Sequence, residues 1–491
     1  MVKICFKDFL YGYLDADTEY SCNQEKFDEI FYDKNNLFNK LSNLNRPTSI
    51  IIGRKGVGKS AYAAKLRSET SNERLSFIIE LQDISYSDFA KISDNKSNVL
   101  GAQRYLHVWY LLLMGAVVKK LKPEDVENKK NLKLLQSLLI EFGMDIDNNL
   151  IRDILTVAKK DFKVKLSSFE LQLSENDQNK KVKFHNITDF SNYFMKLYDS
   201  LGIKKDIIPI IDGVDDVLRT TRKIQTEDIL SGLVRAVATL NKNSRLSKNK
   251  SKFILVIRDD IVKLLNDPDL NKIIQDCGYN LDWYNNASAG VDDLSQVFNK
   301  RLLNKAGKEL SEEKSLWESL FPFEPNEKSS WNDFLEYTLY RPRDIIKFLN
   351  QFIDDYPEMD YVTLDIYRNE LRKFSQDYFY DEMTNELIGF LPREIIDTLQ
   401  DVLKKLGRRD FRFEDINTVY ADLYSNKFNT EDIKDILRTL FNLGYIGMVR
   451  DVKHKNGSRT HINFKHKDPR LTIDFKSRFI VHKGLFYALN I

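Results

Sequence analysis

The feature that most constrains this chain is the glycine-rich octapeptide Gly53-Arg54-Lys55-Gly56-Val57-Gly58-Lys59-Ser60. It sits between the isoleucine run Ser49 to Ile52 and a stretch rich in Ala, Leu and Lys, so the pattern GxxxxGK[ST] occurs in the strand-loop-helix order that it requires. Each residue type has a physical duty. Glycines let backbone N–H groups turn inward around phosphate oxygens, and the N-terminus of the following helix adds partial positive charge. Lys59 is placed to reach β- and γ-phosphates, and the Ser60 hydroxyl to ligate Mg²⁺. The candidate cofactors are therefore ATP and Mg²⁺. Gly53, Arg54, Lys55, Gly56, Val57, Gly58, Lys59, Ser60 and Ala61 form the candidate binding loop.

Such a loop needs an acidic partner at the end of another buried strand. Residues 206–219 read DIIPIIDGVDDVLR, and the apolar run Ile207 to Ile211 has the length of a central parallel strand. Asp212 at its end is the candidate Mg²⁺ ligand, the Walker B position. Asp216, and behind it Asp215, are candidates for polarising the attacking water; the alternative is that the pair caps a helix starting near Val217. A third strand is expected over Phe253 to Ile257, with Arg258 just beyond it as a candidate γ-phosphate sensor. The alternative for Arg258 is an ion pair with Asp259 or Asp260. With Leu75 to Leu81 as a further strand, the pieces predict an additional-strand P-loop domain, a three-layer α/β sandwich around a parallel sheet. No NKxD guanine-reading sequence is present, which favours ATP over GTP.

The chain has 491 residues, more than one core usually supports. Apolar residues make up 42% and charged residues 30%, with only 10 Pro, which excludes disordered and collagen-like classes. Cys5, Cys22 and Cys277 form no CxxC pair, so neither a disulfide framework nor a thiolate metal site is indicated. The first residues mix Lys and Asp into an apolar background unlike a signal peptide. The most apolar stretch, Tyr105 to Val118, is short of the roughly 20 residues a membrane span needs and reads as a buried core helix. A cytoplasmic protein without membrane contact is expected.

Lys59 and Asp212 lie 153 positions apart, so something is inserted between them. The expected division is a lead-in and P-loop part over 1–118, a mostly helical insertion over 119–200, the Walker B and sensor part over 201–290, a helical lid over 291–390 and a winged-helix domain over 391–491. The insertion reads as helix around Leu132 to Leu139, alternating short strands over 162–173 and an exposed loop over 174–183; it either meets a partner or elaborates the scaffold. In the lid, Arg341-Pro342-Arg343 stands at a helix start with Pro342 near its first position. Arg343 is the candidate cation reaching nucleotide phosphates from the lid, the alternative being surface cations bonded to acids. Helices are expected over 394–406, 413–424 and 430–443, followed by a hairpin turning around Lys455-Asn456-Gly457-Ser458. Net charge is +2, but residues 450–491 carry 10 Lys/Arg against 3 Asp/Glu. That tip could meet nucleic acid through Lys453, Lys455 and Arg459, or dock on protein. The acids Glu431, Asp432 and Asp435 on the third helix disfavour groove insertion.

Taken together, Tyr11-Gly12-Tyr13-Leu14-Asp15-Ala16 (an FGxxDA-like lead-in), GRKGVGKS, DGVDD, VIRDD, YRPRD and the terminal HKGLFYAL resemble a family of bacterial P-loop ATPases allied to the STAND and NACHT NTPases and, more distantly, to Orc/Cdc6-like AAA+ proteins. The resemblance implies a slowly hydrolysing, ATP-controlled switch, often found in defence settings, with a winged-helix lid and a protein effector or self-oligomer as partner. A nucleic-acid-dependent loader or remodelling ATPase is the alternative. In this family's Walker B segment Glu is usual where Asp216 stands, a shorter reach toward the attacking water.

Overall fold

The computed structural model describes residues 4–81, 102–141, 171–172, 181–182, 187–214, 223–247, 249–265, 267–284, 292–303, 316–425, 427–454 and 457–491. Contacts divide the chain into two units: Met1–Tyr32, Gly56–Gly58 and Trp283–Ile491 form the first, Asp33–Lys55 and Lys59–Asp282 the second.

The second unit is built on a sheet of five parallel strands: β1 (Ile50–Gly53), β2 (Arg74–Glu80), β5 (Asp206–Asp212), β6 (Ile254–Arg258) and β7 (Gly278–Asn280), in the order β2-β5-β6-β1-β7. The predicted strands fall within a residue of these bounds. Every residue of β6 is buried, as is Ile207 to Ile211 in β5, so both read as continuous apolar runs rather than alternating ones. Pro209 sits inside β5, where its missing N–H would break a central ladder. The β5–β6 ladder begins only at Ile210↔Ile254, with an isolated bridge Ile207↔Ser251 before it, so the strand avoids using that rung.

Helices Gln103–Lys120, Lys129–Glu141, Ile187–Asp199 and Lys223–Ser247 share one core with the sheet. Trp109 is fully buried there, and its indole N–H donates to the Ile229 carbonyl at 2.8 Å, which satisfies its one polar atom. The described flanks of the expected insertion are therefore scaffold: Leu132, Leu135, Leu138, Phe190, Phe194 and Tyr198 all belong to this core. Its short strands β3 (Leu171–Gln172) and β4 (Lys181–Val182) pair antiparallel, so the stretch read as a loop over 174–183 contains a strand. The alternating run over 162–170 lies outside the described residues. Among the described residues, no helix is long and apolar enough to cross a membrane.

The first unit joins the N-terminal segment to the C-terminal half, whereas the expected division keeps it with the P-loop part over 1–118. Aromatic packing is the reason: Phe6 stacks on Phe352 with ring centroids 4.9 Å apart, and Phe9 meets Phe298 at 5.1 Å. Gly12 is locked by a reciprocal pair, its N–H donating to Asn350 Oδ1 at 3.0 Å and its carbonyl accepting from Asn350 Nδ2 at 2.6 Å. Further on, helices Arg393–Leu406, Phe413–Tyr424 and Thr430–Leu443 precede a four-stranded sheet of β8 (Asp410–Phe411), β9 (Ile446–His454), β10 (Gly457–Asn463) and β11 (Arg478–Val481), ordered β10-β9-β11-β8. The third helix starts on a reciprocal cap between Asn429 and Asp432 and stops at Gly444, whose φ is +88°. His454 pairs with Gly457, so Gly457, expected in the turn, is the first residue of β10. Lys455 and Asn456 lie outside the described residues.

Candidate nucleotide site

β1 delivers the chain to Gly53 at its C-terminal end, and the helix Lys59–Ser68 carries it away. Between them Gly56 and Gly58 take φ of +81° and +91°, a region costly for any residue with a Cβ. Lys59 is buried, and its ammonium donates to the carbonyls of Gly53 and Arg54, each at 2.9 Å. The ammonium is thus held over the loop that bears it, while Ser60 is exposed at the helix start. The positive-φ glycines, the inward lysine and the exposed hydroxyl fit a polyphosphate bearing Mg²⁺.

Asp212 closes β5, and its Oδ1 accepts from the Gly213 N–H at 2.7 Å, with Gly213 at φ +81°. Asp215 and Asp216 lie outside the described residues, as does the expected helix start near Val217. β6 is seated between β1 and β5, and the register Gly53↔Arg258 sets Arg258 beside the beginning of the loop. Its guanidinium is engaged side-on by Asp260, Nε lying 3.0 and 3.2 Å from the two oxygens and Nη2 2.5 Å from Oδ2. Asp260 also accepts from the Ile261 N–H at 2.8 Å, so the ion pair is anchored to the start of the next helix. The ion-pair alternative for Arg258 is therefore realised, with Asp260 as partner.

The neighbouring Asp259, which the sequence suggests only as a partner for Arg258, is a carboxylate beside the loop. Burial pushes its carboxyl up, but Lys263, 2.6 Å away, and the charges of Arg54 and Lys59 outweigh that and hold it below the usual range. The signal that could have singled it out was the register: residues just past Gly53 and Arg258 leave adjacent parallel strands side by side.

The loop apex, Gly56 to Gly58, belongs to the first unit. There the Val57 carbonyl accepts from the Trp283 indole N–H at 2.8 Å. A Cβ built on Gly56 would lie 3.2 Å from Arg341 Cδ and 3.5 Å from Arg343 Cβ. Both arginines flank Pro342, the first residue of the helix Pro342–Asp355. Arg341 is fully buried, bonded to Asp344 at 2.8–3.1 Å and to Glu386 at 2.8 Å, and Asp344 accepts in addition from the Tyr378 hydroxyl at 2.9 Å. The two carboxylates and the hydroxyl outweigh burial and keep its guanidinium charged. Arg343 is partly exposed and pairs with Glu382 at 3.3 Å. In the C-terminal tip, Lys453 and Arg459 occupy β9 and β10, and Lys455 lies outside the described residues.

Residues 292–381 match the model of the FunZ-associated C-terminal helical domain. The chain is 20% identical over 466 residues to the putative transposon gamma-delta 80.3 kDa protein of Escherichia coli (strain K12), a match covering 90% of this chain and 62% of that protein. The chain thus spans less than two thirds of its relative's length. A Walker-type ATPase of Pyrococcus abyssi aligns with 94% of this chain and 96% of its own at 13% identity and a TM-score of 0.37. By its own strands and loop, the chain has a mixed α/β architecture with a parallel five-stranded sheet, compatible with a P-loop NTPase fold.

Proposed function

We propose that this chain is an ATP-binding, slowly hydrolysing regulatory ATPase of the STAND-like kind, a switch that acts through a partner effector in a bacterial defence setting. One observation carries the ATPase part: the strand bearing the glycine loop and the strand ending in Asp212 flank a third parallel strand, so loop and carboxylate emerge at the same edge of one sheet. With nucleotide bound, Lys59 would give its ammonium to phosphate oxygens, and Ser60 and Asp212 would hold Mg²⁺, which would neutralise phosphate charge. In hydrolysis water would attack the γ-phosphorus as the bond to the bridging oxygen breaks, and Asp216 or Asp215 would accept the water's proton, leaving ADP and inorganic phosphate. An aspartate where glutamate is usual supports slow turnover, because its side chain is one methylene shorter.

The switch and defence elements draw on the sequence resemblance to STAND and NACHT ATPases. We read residues 391–491 as a winged-helix module, on the order of three helices followed by a hairpin. The test is Mg²⁺-dependent binding of labelled ATP by the whole chain. Wild type should bind, and Lys59→Ala should lose at least about tenfold in affinity, the equivalent of one charge-assisted contact worth about 1.4 kcal/mol. Equal affinity in the two proteins would overturn the reading.

A further inference from the structure

Two arginines of the first unit stand beside the loop apex Gly56–Gly58, and their hydrogen bonding differs. Pro342 separates them, and the turn that delivers them is fixed: Tyr340 takes φ of +55°, and the Leu339 N–H donates to Asp344 Oδ2 at 3.0 Å. Arg341 is satisfied on every nitrogen, Nε and Nη2 by Asp344 and Nη1 by Glu386. Arg343 is held far less completely. Its Nη1 donates to Glu382 Oε2 at a long 3.3 Å, and its Nε is buried with no hydrogen-bond partner among the described residues.

A buried N–H without an acceptor is costly, which makes it a pointer to an acceptor that comes with a ligand. The place suits phosphate. A Cβ on Gly56 would lie 3.5 Å from Arg343 Cβ, so the side chain leaves its helix directly beside the positive-φ glycines whose N–H groups suit phosphate oxygens. The Nε–Nη2 edge of the guanidinium, which Glu382 does not use, is an edge that engages phosphate through two parallel bonds. The acid opposite comes from the helix Tyr380–Leu387, on which Glu382 and Glu386 are one turn apart and share a face. Glu386 is committed to Arg341 at 2.8 Å, whereas Glu382 lies between the two arginines, 3.3 Å from Arg343 and 3.8 Å from Arg341. When Arg343 turns away, Glu382 still has Arg341 beside it, so the exchange strands no carboxylate.

We propose that Glu382 is a latch for Arg343: it holds the guanidinium by one nitrogen, and the phosphate oxygens of a nucleotide at Gly56–Gly58 compete with it for that cation. Glu382 acts through Arg343 and is therefore a positioning residue. Resting on the ATP-binding reading, the latch deepens it by naming the acid that tunes affinity at the loop apex. Nucleotide occupancy thereby reaches the helix Tyr380–Leu387 through the loss of one ion pair.

The test is a double-variant cycle read by Mg²⁺-dependent binding of labelled ATP to the full chain. Glu382→Gln should bind about two- to fivefold more tightly than wild type, the range of a partly exposed ion pair. Arg343→Gln should bind about tenfold more weakly, the loss of one charge-assisted contact. The double variant should match Arg343→Gln, since a latch without its arginine holds nothing. Glu382→Ala should move affinity in the same direction as Glu382→Gln, and far-UV circular dichroism should show every variant folded. Unchanged or weaker ATP binding in both folded Glu382 variants would overturn the latch. So would an equal gain from Glu382→Gln in the Arg343→Gln background, which would make Glu382 a general repeller of anions. No ATP binding by wild type would overturn the ATP reading and the latch together, whereas wild-type binding that Lys59→Ala loses and Glu382→Gln leaves unmoved would remove the latch alone.

Discussion

Alanine at Gly56 and alanine at Gly58 should damage the fold unequally, and the structure gives the difference. Both glycines have φ near +90°, so either alanine incurs a backbone cost of about 1–2 kcal/mol. At Gly58 that is the whole cost, since nothing lies within 4 Å of the added Cβ. At Gly56 the Cβ meets Arg341 Cδ at 3.2 Å, and the neighbour must give way. Arg341 cannot do so cheaply: it is fully buried, with Asp344 and Glu386 gripping opposite ends of its guanidinium. Overpacking against a pinned side chain adds about 1–3 kcal/mol. For a cooperative unit of roughly 150–250 residues, about 2 kcal/mol corresponds to about 4–8 °C in melting temperature. Differential scanning fluorimetry of the two variants without nucleotide measures the gap. The reasoning would be refuted if Gly56→Ala melted at or above the temperature of Gly58→Ala, because the buried network would then be free to yield.

Two further outcomes concern buried ionisable groups of the second unit. Lys252 donates to the Lys40 carbonyl at 3.0 Å and the Asn43 carbonyl at 2.8 Å, and burial, helped by Arg245, pushes its pKa down to about 7. From about pH 7 to its unfolded value the unfolded chain holds a proton that the fold sheds, so stability rises with pH, by at most about 1.4 kcal/mol per unit. Urea unfolding of wild type and Lys252→Met at about pH 7 and about pH 9 should show wild type gaining on the variant; a pH-independent difference would count against the burial argument. Asp199 ends the helix Ile187–Asp199, where a negative charge opposes the helix dipole; its Oδ1 is buried without a hydrogen-bond partner and burial raises its pKa to about 6. Its folded pKa is raised, so the fold loses stability as pH rises from the ordinary carboxylate range through about 6. Asp199→Asn should stabilise by about 1–2 kcal/mol near neutral pH and by much less near pH 4. Equal stabilisation at both pH values would contradict this.

What could be read from the sequence was local. The octapeptide from Gly53 to Ser60 announces its own geometry because glycine at positive φ and an inward lysine are properties of neighbouring residues. The helix Thr430–Leu443 was legible for the same reason, with Asn429 and Asp432 capping one end and Gly444 the other. The apolar runs of β5 and β6 marked two buried strands, despite Pro209 inside one of them.

Partnership over long separations was not legible. Nothing near Phe6 or Gly12 says that Phe352 and Asn350 will receive them. Gly457, expected in the hairpin turn, opens β10 opposite His454, because register is settled by the whole ladder. Arg258 could be foreseen at a strand end, but its engagement by Asp260 is a matter of side-chain direction. The sequence by itself therefore determined the phosphate-binding loop, the strand candidates and the excess of base near the C-terminus, all short-range consequences of backbone preference and composition. Only the tertiary structure decided the strand order, the burial of Arg341 beside Gly56, and the pairing of Arg478 with Asp410 and Asp451 and of Lys483 with Asp333 and Glu336. Those outcomes depend on contacts between residues far apart in the chain, and local preferences carry no information about them.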